Sequence, residues 1–178
     1  MVRLCVAGRR EREQVQGASK LRTLDELAGI VEQAKAQGRR VVMANGCFDL
    51  LHVGHVRYLA AARKLGDVLI VAINSDRSAR ALKGEGRPIV SAEERAELLS
   101  ALECVDYCFV FDELTLDHSI RRLRPDVHAK GTDYTRDSVP ERSTVLEVGG
   151  RVEIAGDDKD HSTKDLVRII LDRFSRPA

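Results

Sequence analysis

Six consecutive apolar residues, Val68-Leu69-Ile70-Val71-Ala72-Ile73, constrain the fold of this chain more than any other stretch. A strand with one face in water alternates apolar with polar residues. An unbroken, β-branched run is the pattern of a strand covered on both faces, as in parallel sheets with helices on each side. Shorter apolar runs recur at Val41–Ala44 and Tyr107–Phe111, and Val127–Lys130 and Val152–Ala155 read as two further strands. Helical signals separate them. Thr23-Leu24-Asp25-Glu26 is a capping box opening an apolar stripe of Leu24, Leu27, Ala28, Val31 and Ala34, which Gly38 ends. A helix is expected from about Val53 to Leu65, stopped by Gly66. A second capping box, Ser91-Ala92-Glu93-Glu94, opens one to about Leu102, and another runs from about Leu116 to Leu123, before Pro125. Ser138-Val139-Pro140-Glu141 reads as a third box with proline in the first turn of a helix that Gly149-Gly150 closes. Ser162 or Thr163 caps a last helix to about Phe174. Five strands alternating with helices predict an α/β fold, a doubly wound five-stranded parallel sheet with right-handed crossovers.

The chain has 178 residues, the length of about one domain. Residues 1–20 carry no sustained period and hold the cluster Arg9-Arg10-Glu11-Arg12-Glu13, so they read as an extension preceding a single domain over 21–178. With 29 Lys+Arg against 28 Asp+Glu the net charge is +1, which excludes a broad polyanion-binding surface and so a nucleic-acid partner. No apolar run approaches the roughly 20 residues that span a bilayer, and the start lacks a signal-peptide core. Cys5, Cys47, Cys104 and Cys108 show no CxxC spacing and sit in apolar runs, reading as buried thiols of a cytoplasmic protein.

Open α/β sheets bind ligands beyond the carboxyl ends of their strands, where strand order reverses. Asn45-Gly46-Cys47-Phe48-Asp49-Leu50-Leu51-His52-Val53-Gly54-His55 comes after the first strand, Asn74-Ser75-Asp76 after the second, and Lys130-Gly131-Thr132-Asp133-Tyr134 after the fourth. Gly46 lets the chain turn sharply and bring amides to a ligand. His52 and His55 project from one face of a first helical turn, beside free amides and the positive end of the helix dipole. Gly54 between them leaves room for a phosphate or a base. Together they make an anion site whose donors strengthen as charge builds on a phosphoryl group in transfer. The same pair fits a zinc site with Asp49 as third ligand, and spacing alone does not exclude it.

The segment Asn45–His55 resembles the signature of the HxGH nucleotidyltransferases, the cytidylyltransferase-like superfamily, which implies a Rossmann-like nucleotidyltransferase fold. From about Leu21 to Ile170 the chain is most similar to the adenylyltransferases that make ADP-heptose from D-glycero-β-D-manno-heptose 1-phosphate. The likeness extends to Asn74-Ser75-Asp76, Leu82-Lys83-Gly84, Arg87-Pro88 and Lys130-Gly131-x-Asp133-Tyr134. No kinase segment precedes it, so the likeness is to the stand-alone form. The resemblance implies transfer of AMP from ATP, with Mg²⁺, to a sugar 1-phosphate. It implies catalytic roles for His52, His55 and Lys83, and nucleotide contacts from Asn45, Gly46, Cys47, Phe48, Asp49, Gly54, Lys130, Gly131, Asp133, Ser162 and Thr163. Arg87 and Arg95 would meet the substrate phosphate. No residue is assigned to a protein-held metal. Each assignment has a plainer counterpart: a solvated loop lysine at Lys83, a surface pairing of Arg95 with glutamates near Glu94, a turn at Asp133, ordinary capping at Ser162 and Thr163. Of the other histidines, His118 reads as solvated, His128 as a satisfied core residue, and His161 as a residue preceding the Ser162-Thr163 cap, with contact to the substrate phosphate the lesser reading.

Two departures bear on specificity. Thr132 stands where the resembled enzymes usually carry glycine, and Gly156–Lys164 differs from their usual run. The alternative is a CTP-dependent transferase acting on glycerol 3-phosphate; Glu103-Cys104-Val105-Asp106-Tyr107 lacks the arginine of the matching segment there. A nucleotide-binding regulatory module is the reading from outside the enzymes, and intact His52, His55 and Lys83 argue against it. Relatives commonly form dimers, which makes a homodimer the partner that the resemblance allows.

Overall fold

A computed structural model describes residues 20–157 and 162–175. Residues 1–19, which hold nearly all of the expected extension, and His161 lie outside them. Five strands, β1 (Val41–Gly46), β2 (Val68–Asn74), β3 (Tyr107–Phe111), β4 (Val127–Lys130) and β5 (Arg151–Ile154), form one sheet in the order β3-β2-β1-β4-β5. Every pairing is parallel. The doubly wound expectation therefore holds.

All seven residues of β2 are buried, as the unbroken run required. Its alternate side chains feed two separate cores. Val68, Ile70 and Ala72 join Val41 and Met43 against α1 (Leu24–Ala36) and α5 (Asp117–Leu123). Leu69, Val71 and Ile73 join Val42 and Ala44 against α2 (Val53–Arg63) and, beyond α3, α4 (Ala92–Ser100). Leu27, Val31 and Ala34 of the predicted stripe are buried. Both halves of the first two capping boxes are made, at Thr23/Glu26 and Ser91/Glu94. Gly38, at φ +71°, closes α1 with the Arg39 amide donating to the Ala34 carbonyl and the Gly38 amide to Lys35, the paired closure of a helix ending in a left-handed residue.

Two local expectations fail. The segment Asp76–Lys83 forms a helix, α3, capped by the Ser75 hydroxyl, where a loop carrying Lys83 was expected. The third capping box does not form: α6 spans Arg142–Glu147, no described side chain caps it, and Ser138 instead exchanges hydrogen bonds with Thr135. The Glu141 carboxylate has turned inward to Lys130 and His128. Lys20, assigned to the extension, belongs to the domain: its carbonyl accepts from the Cys108 amide at the sheet edge. The last helix, α7 (Thr163–Phe174), has no fully buried residue. No helix among the described residues is long and apolar enough to cross a membrane.

The chain builds outward from β1 to β3, then returns to place β4 on the other side of β1. The strand order reverses between β1 and β4, and the carboxyl ends of those two strands frame the site.

Candidate functional site

A cleft of about 680 Å³ opens over the carboxyl ends of the strands. Its walls come from the segments after all five: Asn45–His55 after β1, Leu82–Arg87 after β2, Leu114 and Thr115 after β3, Lys130–Tyr134 and Glu141 after β4, and Ala155–Asp157 with Ser162–Lys164 after β5. Every nominated residue except Arg95 lines it. A smaller hollow of about 400 Å³ between Lys35, Arg39, Arg40 and Arg151 lies at the opposite ends of the strands, where such sheets do not bind ligands.

His52 is the N-cap of α2 and His55 lies in its first turn; their rings stack at 3.8 Å between centroids. Phe48 packs against this pair, its ring tilted edge-on to His55 with the centroids 5.2 Å apart. It does so from a left-handed backbone, φ +50°, at a cost on the order of 1–2 kcal/mol for a residue with a Cβ. The sharp turn thus falls on Phe48, not Gly46. Gly46 has a different duty: a Cβ there would stand 3.2 Å from the Phe48 ring. His52, Gly54 and His55 at the start of α2 line the cleft, and that first turn holds no acidic residue, so the positive end of the helix dipole lies beside the two imidazoles. That is an anion-binding arrangement.

Asp49 is 5% exposed and fully engaged. Its Oδ1 accepts from the Ile89 and Val90 amides at 2.6 and 3.0 Å, and its Oδ2 from Arg87 Nη1 at 2.5 Å. Burial would raise its pKa, but the Val90 amide, Arg87 and the Ile89 amide hold it below the usual carboxylate value. Its oxygens are spent on this clasp, so the zinc reading loses its third ligand to Arg87, Ile89 and Val90. Arg87 lines the cleft while tied to Asp49.

Arg95 departs furthest from expectation. It is 0% exposed and lies beneath the cleft. Its Nε donates to the Val90 carbonyl at 2.9 Å, and Nη1 donates to the carbonyls of Cys47 and, at 2.8 Å, Asn74. Nη2 reaches Asp76 at 2.7 Å. The fork binds the segments after β1, β2 and α3 to α4, and meets neither a glutamate of its own helix nor the cleft. This is a correction to the phosphate role.

Lys130 ends β4 at the switch point. Its Nζ donates to Asn45 Oδ1 at 3.0 Å and to Glu141 Oε2 at 3.4 Å, and lies 4.8 Å over the Tyr134 ring. Behind Glu141 lies His128, completely buried, with Nε2 3.6 Å from the carboxylate. Burial keeps the His128 imidazole below its ordinary pKa and would raise that of Glu141. The His128 imidazole 3.6 Å away and the Lys130 charge outweigh it and hold Glu141 at about 2.

The remaining nominees complete the walls. Lys83 is the last residue of α3 and exposed at the cleft. Cys47 is half-buried, and burial pushes its thiol up, away from thiolate chemistry. Gly131 sits where a Cβ would come within 2.9 Å of Asp133 Oδ1. Ser162 caps α7 by accepting from the Asp165 amide at 3.2 Å and donating to Asp165 Oδ2 at 2.6 Å, so the α7 terminus also faces the cleft. Thr132 donates to the Asp157 carbonyl at 2.9 Å, and Arg57 pairs with the Asp157 carboxylate at 2.8 Å. Sequence reasoning missed Glu141, Asp157, Leu82, Leu114 and Thr115. Inspecting the segment after β3 reaches Leu114 and Thr115, and Asp157 stands in the Gly156–Lys164 stretch that already departs from the resembled run; nothing local marks Glu141.

The sequence model described as "Cytidylyltransferase-like" matches residues 43–170. The chain is 52% identical over 159 residues to "Bifunctional protein HldE" of Geobacter sulfurreducens, covering 89% of this chain and 32% of that one. It is 48% identical over 157 residues to the protein of the same name from Pelobacter propionicus, covering 88% and 32%. The chain thus spans about a third of the length of the curated relatives it matches. Among solved structures, a lipopolysaccharide core biosynthesis protein from Thermoplasma volcanium GSS1 superposes with a TM-score of 0.58 at 33% identity, covering 68% of this chain and all of that one.

Proposed function

The chain belongs to the cytidylyltransferase-like family of nucleotidyltransferases, and from that premise we propose that it transfers AMP from ATP to a sugar 1-phosphate. The acceptor we propose is D-glycero-β-D-manno-heptose 1-phosphate, giving ADP-heptose and pyrophosphate in the cytoplasm. The observation that carries the reading is the His52–His55 stack at the start of α2 inside the cleft. The likeness to HldE proteins and to a lipopolysaccharide core biosynthesis protein supports the acceptor class.

The step is an in-line displacement. An oxygen of the sugar phosphate attacks the α-phosphorus, the new P–O bond forms as the bond to the β-phosphate oxygen breaks, and pyrophosphate carries away the electron pair. A phosphate monoester has a second pKa near ~6 and is already ionised at neutral pH, so no general base is needed. What remains for the protein is positioning and charge stabilisation. His52, His55 and the α2 amides donate to the oxygens that gain charge at the α-phosphorus. Lys83, at the end of α3 across the cleft, meets the triphosphate. Mg²⁺ arriving with the triphosphate would supply charge neutralisation for the departing pyrophosphate. Asp133 and Asp157, the latter paired with Arg57, put carboxylates on the cleft wall that would hold such an ion through its waters. That donor set suits an ion that travels with its nucleotide and keeps its waters.

The test is pyrophosphate release with Mg²⁺, pairing ATP and CTP each with heptose 1-phosphate and glycerol 3-phosphate. Release with ATP and the heptose phosphate alone is expected. Release with CTP and glycerol phosphate would overturn the substrates, and silence in all four would overturn the acceptor class.

A further inference from the structure

The row Asn45–Lys130–Glu141–His128 runs from a half-buried asparagine at the cleft floor through three buried side chains into the core, and ordinary packing does not account for it. An ammonium and a carboxylate withdrawn from water cost several kcal/mol each, and apolar residues of the same size would serve stability as well. Lys130 and Glu141 are 6% and 3% exposed, and both line the cleft. The three donors of the Lys130 ammonium face the Asn45 amide oxygen, the Glu141 carboxylate and the Tyr134 ring. Its charge is used inside the protein rather than offered to a phosphate.

A lysine only donates, so the Asn45 oxygen must face Lys130 and its amide N–H₂ must point elsewhere. Asn45 stands on β1 one residue before Gly46, at the cleft floor on the switch point. Lys130 therefore fixes which way that amide is turned, and Glu141 fixes Lys130. The groups facing Glu141 are Lys130 and His128 on β4, with Tyr58 of α2 and Tyr134 of the loop after β4 nearby. Tyr58 donates to the Ala129 carbonyl and holds the same strand end.

We propose that Glu141, backed by His128, is a positioning residue for nucleotide binding: it holds Lys130 so that Lys130 locks the Asn45 amide with its N–H₂ toward the bound nucleotide. The proposal rests on the nucleotidyl-transfer reading above. It assigns Lys130 an organising part in place of the direct nucleotide contact expected from the sequence.

Two readouts test it. In the apo protein, the ¹H–¹⁵N signal of the Lys130 ammonium, assigned by its absence from Lys130→Met, is expected to be sharp and slow to exchange. It should disappear in Glu141→Gln and return in Glu141→Asp. In calorimetric titrations with ATP and CTP, Glu141→Gln is expected to weaken binding of the preferred nucleotide about tenfold, the loss of roughly 1.4 kcal/mol. Its kcat should fall by less than about threefold, because the group lies away from the reacting phosphorus. In a Lys130→Met background the same substitution should cost less than about twofold, since the two act as one unit. An ammonium signal unchanged by Glu141→Gln overturns the proposal, as does an undiminished cost in the Lys130→Met background. If the wild-type protein binds neither nucleotide, the nucleotidyl-transfer reading falls and this positioning role falls with it, while the ammonium signal still reports whether Glu141 holds Lys130.

Discussion

Replacing Arg95 separates a structural tie from a phosphate contact, because the two roles predict opposite patterns. In Arg95→Met the aliphatic stem is largely replaced, so little cavity opens. Three carbonyls, of Val90, Cys47 and Asn74, lose the guanidinium donors that satisfy them. A buried acceptor left without its donor costs about 1–3 kcal/mol, and taking the lower half of that range for three gives a loss of about 4 kcal/mol. The Asp76 arm adds little, since that carboxylate is half exposed. For a urea m-value of roughly 2 kcal/mol/M the midpoint should fall by about 2 M at constant m. Arg95→Lys keeps the charge but cannot reach three carbonyls from one ammonium, and should recover about half of the loss. Urea unfolding monitored by far-UV circular dichroism measures both. Turnover, assayed at low temperature where the variants are folded, should fall through kcat, because the Cys47 carbonyl that Arg95 anchors lies in the cleft wall. A midpoint within about 0.3 M of wild type, together with an acceptor KM raised more than tenfold, would refute the tie and restore the phosphate role.

Alanine at His52 or His55 should lower kcat by about a hundredfold or more while weakening nucleotide binding less than about fivefold, measured by steady-state kinetics beside calorimetry; equal losses in both would remove the transition-state role. Lys83→Ala should raise the KM for the triphosphate about tenfold and leave the urea midpoint unchanged, because the side chain is exposed at the end of α3. Acidification should destabilise the protein in two steps. The folded-state pKa of His128 lies below its ordinary 6.5, so its contribution is complete above that pH and declines below it. Glu141 at about 2 against 4.5 contributes on the order of 3 kcal/mol above pH 4.5, lost as pH falls towards 2. Urea midpoints from pH 7.5 down to 3 would track both losses, and an unchanged slope below pH 4.5 in Glu141→Gln would contradict the assignment.

The sheet was legible because its determinants are local and repetitive. A run such as Val68–Ile73 has few alternatives to a doubly covered strand, and the boxes at Thr23 and Ser91 complete themselves within four residues. The cleft was legible for a related reason: glycine and polar residues gather after β1, β2 and β4, where the fold rule expects ligands. Helix α3 escaped because Asp76–Lys83 is mostly polar and gives no apolar stripe. Its signals were the Ser75 cap and the Gly84 stop, which mark ends rather than a body.

The partners of the charged residues were not legible, and Glu141 gives the physical reason. Ser138-Val139-Pro140-Glu141 has every local feature of a capping box, and an exposed cap contributes about 1 kcal/mol. That incentive is smaller than the pull of two buried partners that stand on another strand. Lys130 is eleven residues away and, once β4 is inside, it needs a buried counterion. An unpaired buried ammonium would cost more than the cap gains. Arg95 obeys the same ordering. An exposed pair with a glutamate is worth a few tenths of a kcal/mol at most, and Glu94 and Glu97, one and two residues away, do not face Arg95 on the helix, whereas the carbonyls 48 and 21 residues away take its guanidinium at the buried ends of the strands. Where a local pattern and a buried, distant polar group compete for one side chain, burial decides. In this fold the buried polar groups concentrate at the ends of the central strands, so sequence reading locates the site and still misassigns several of the hands that build it.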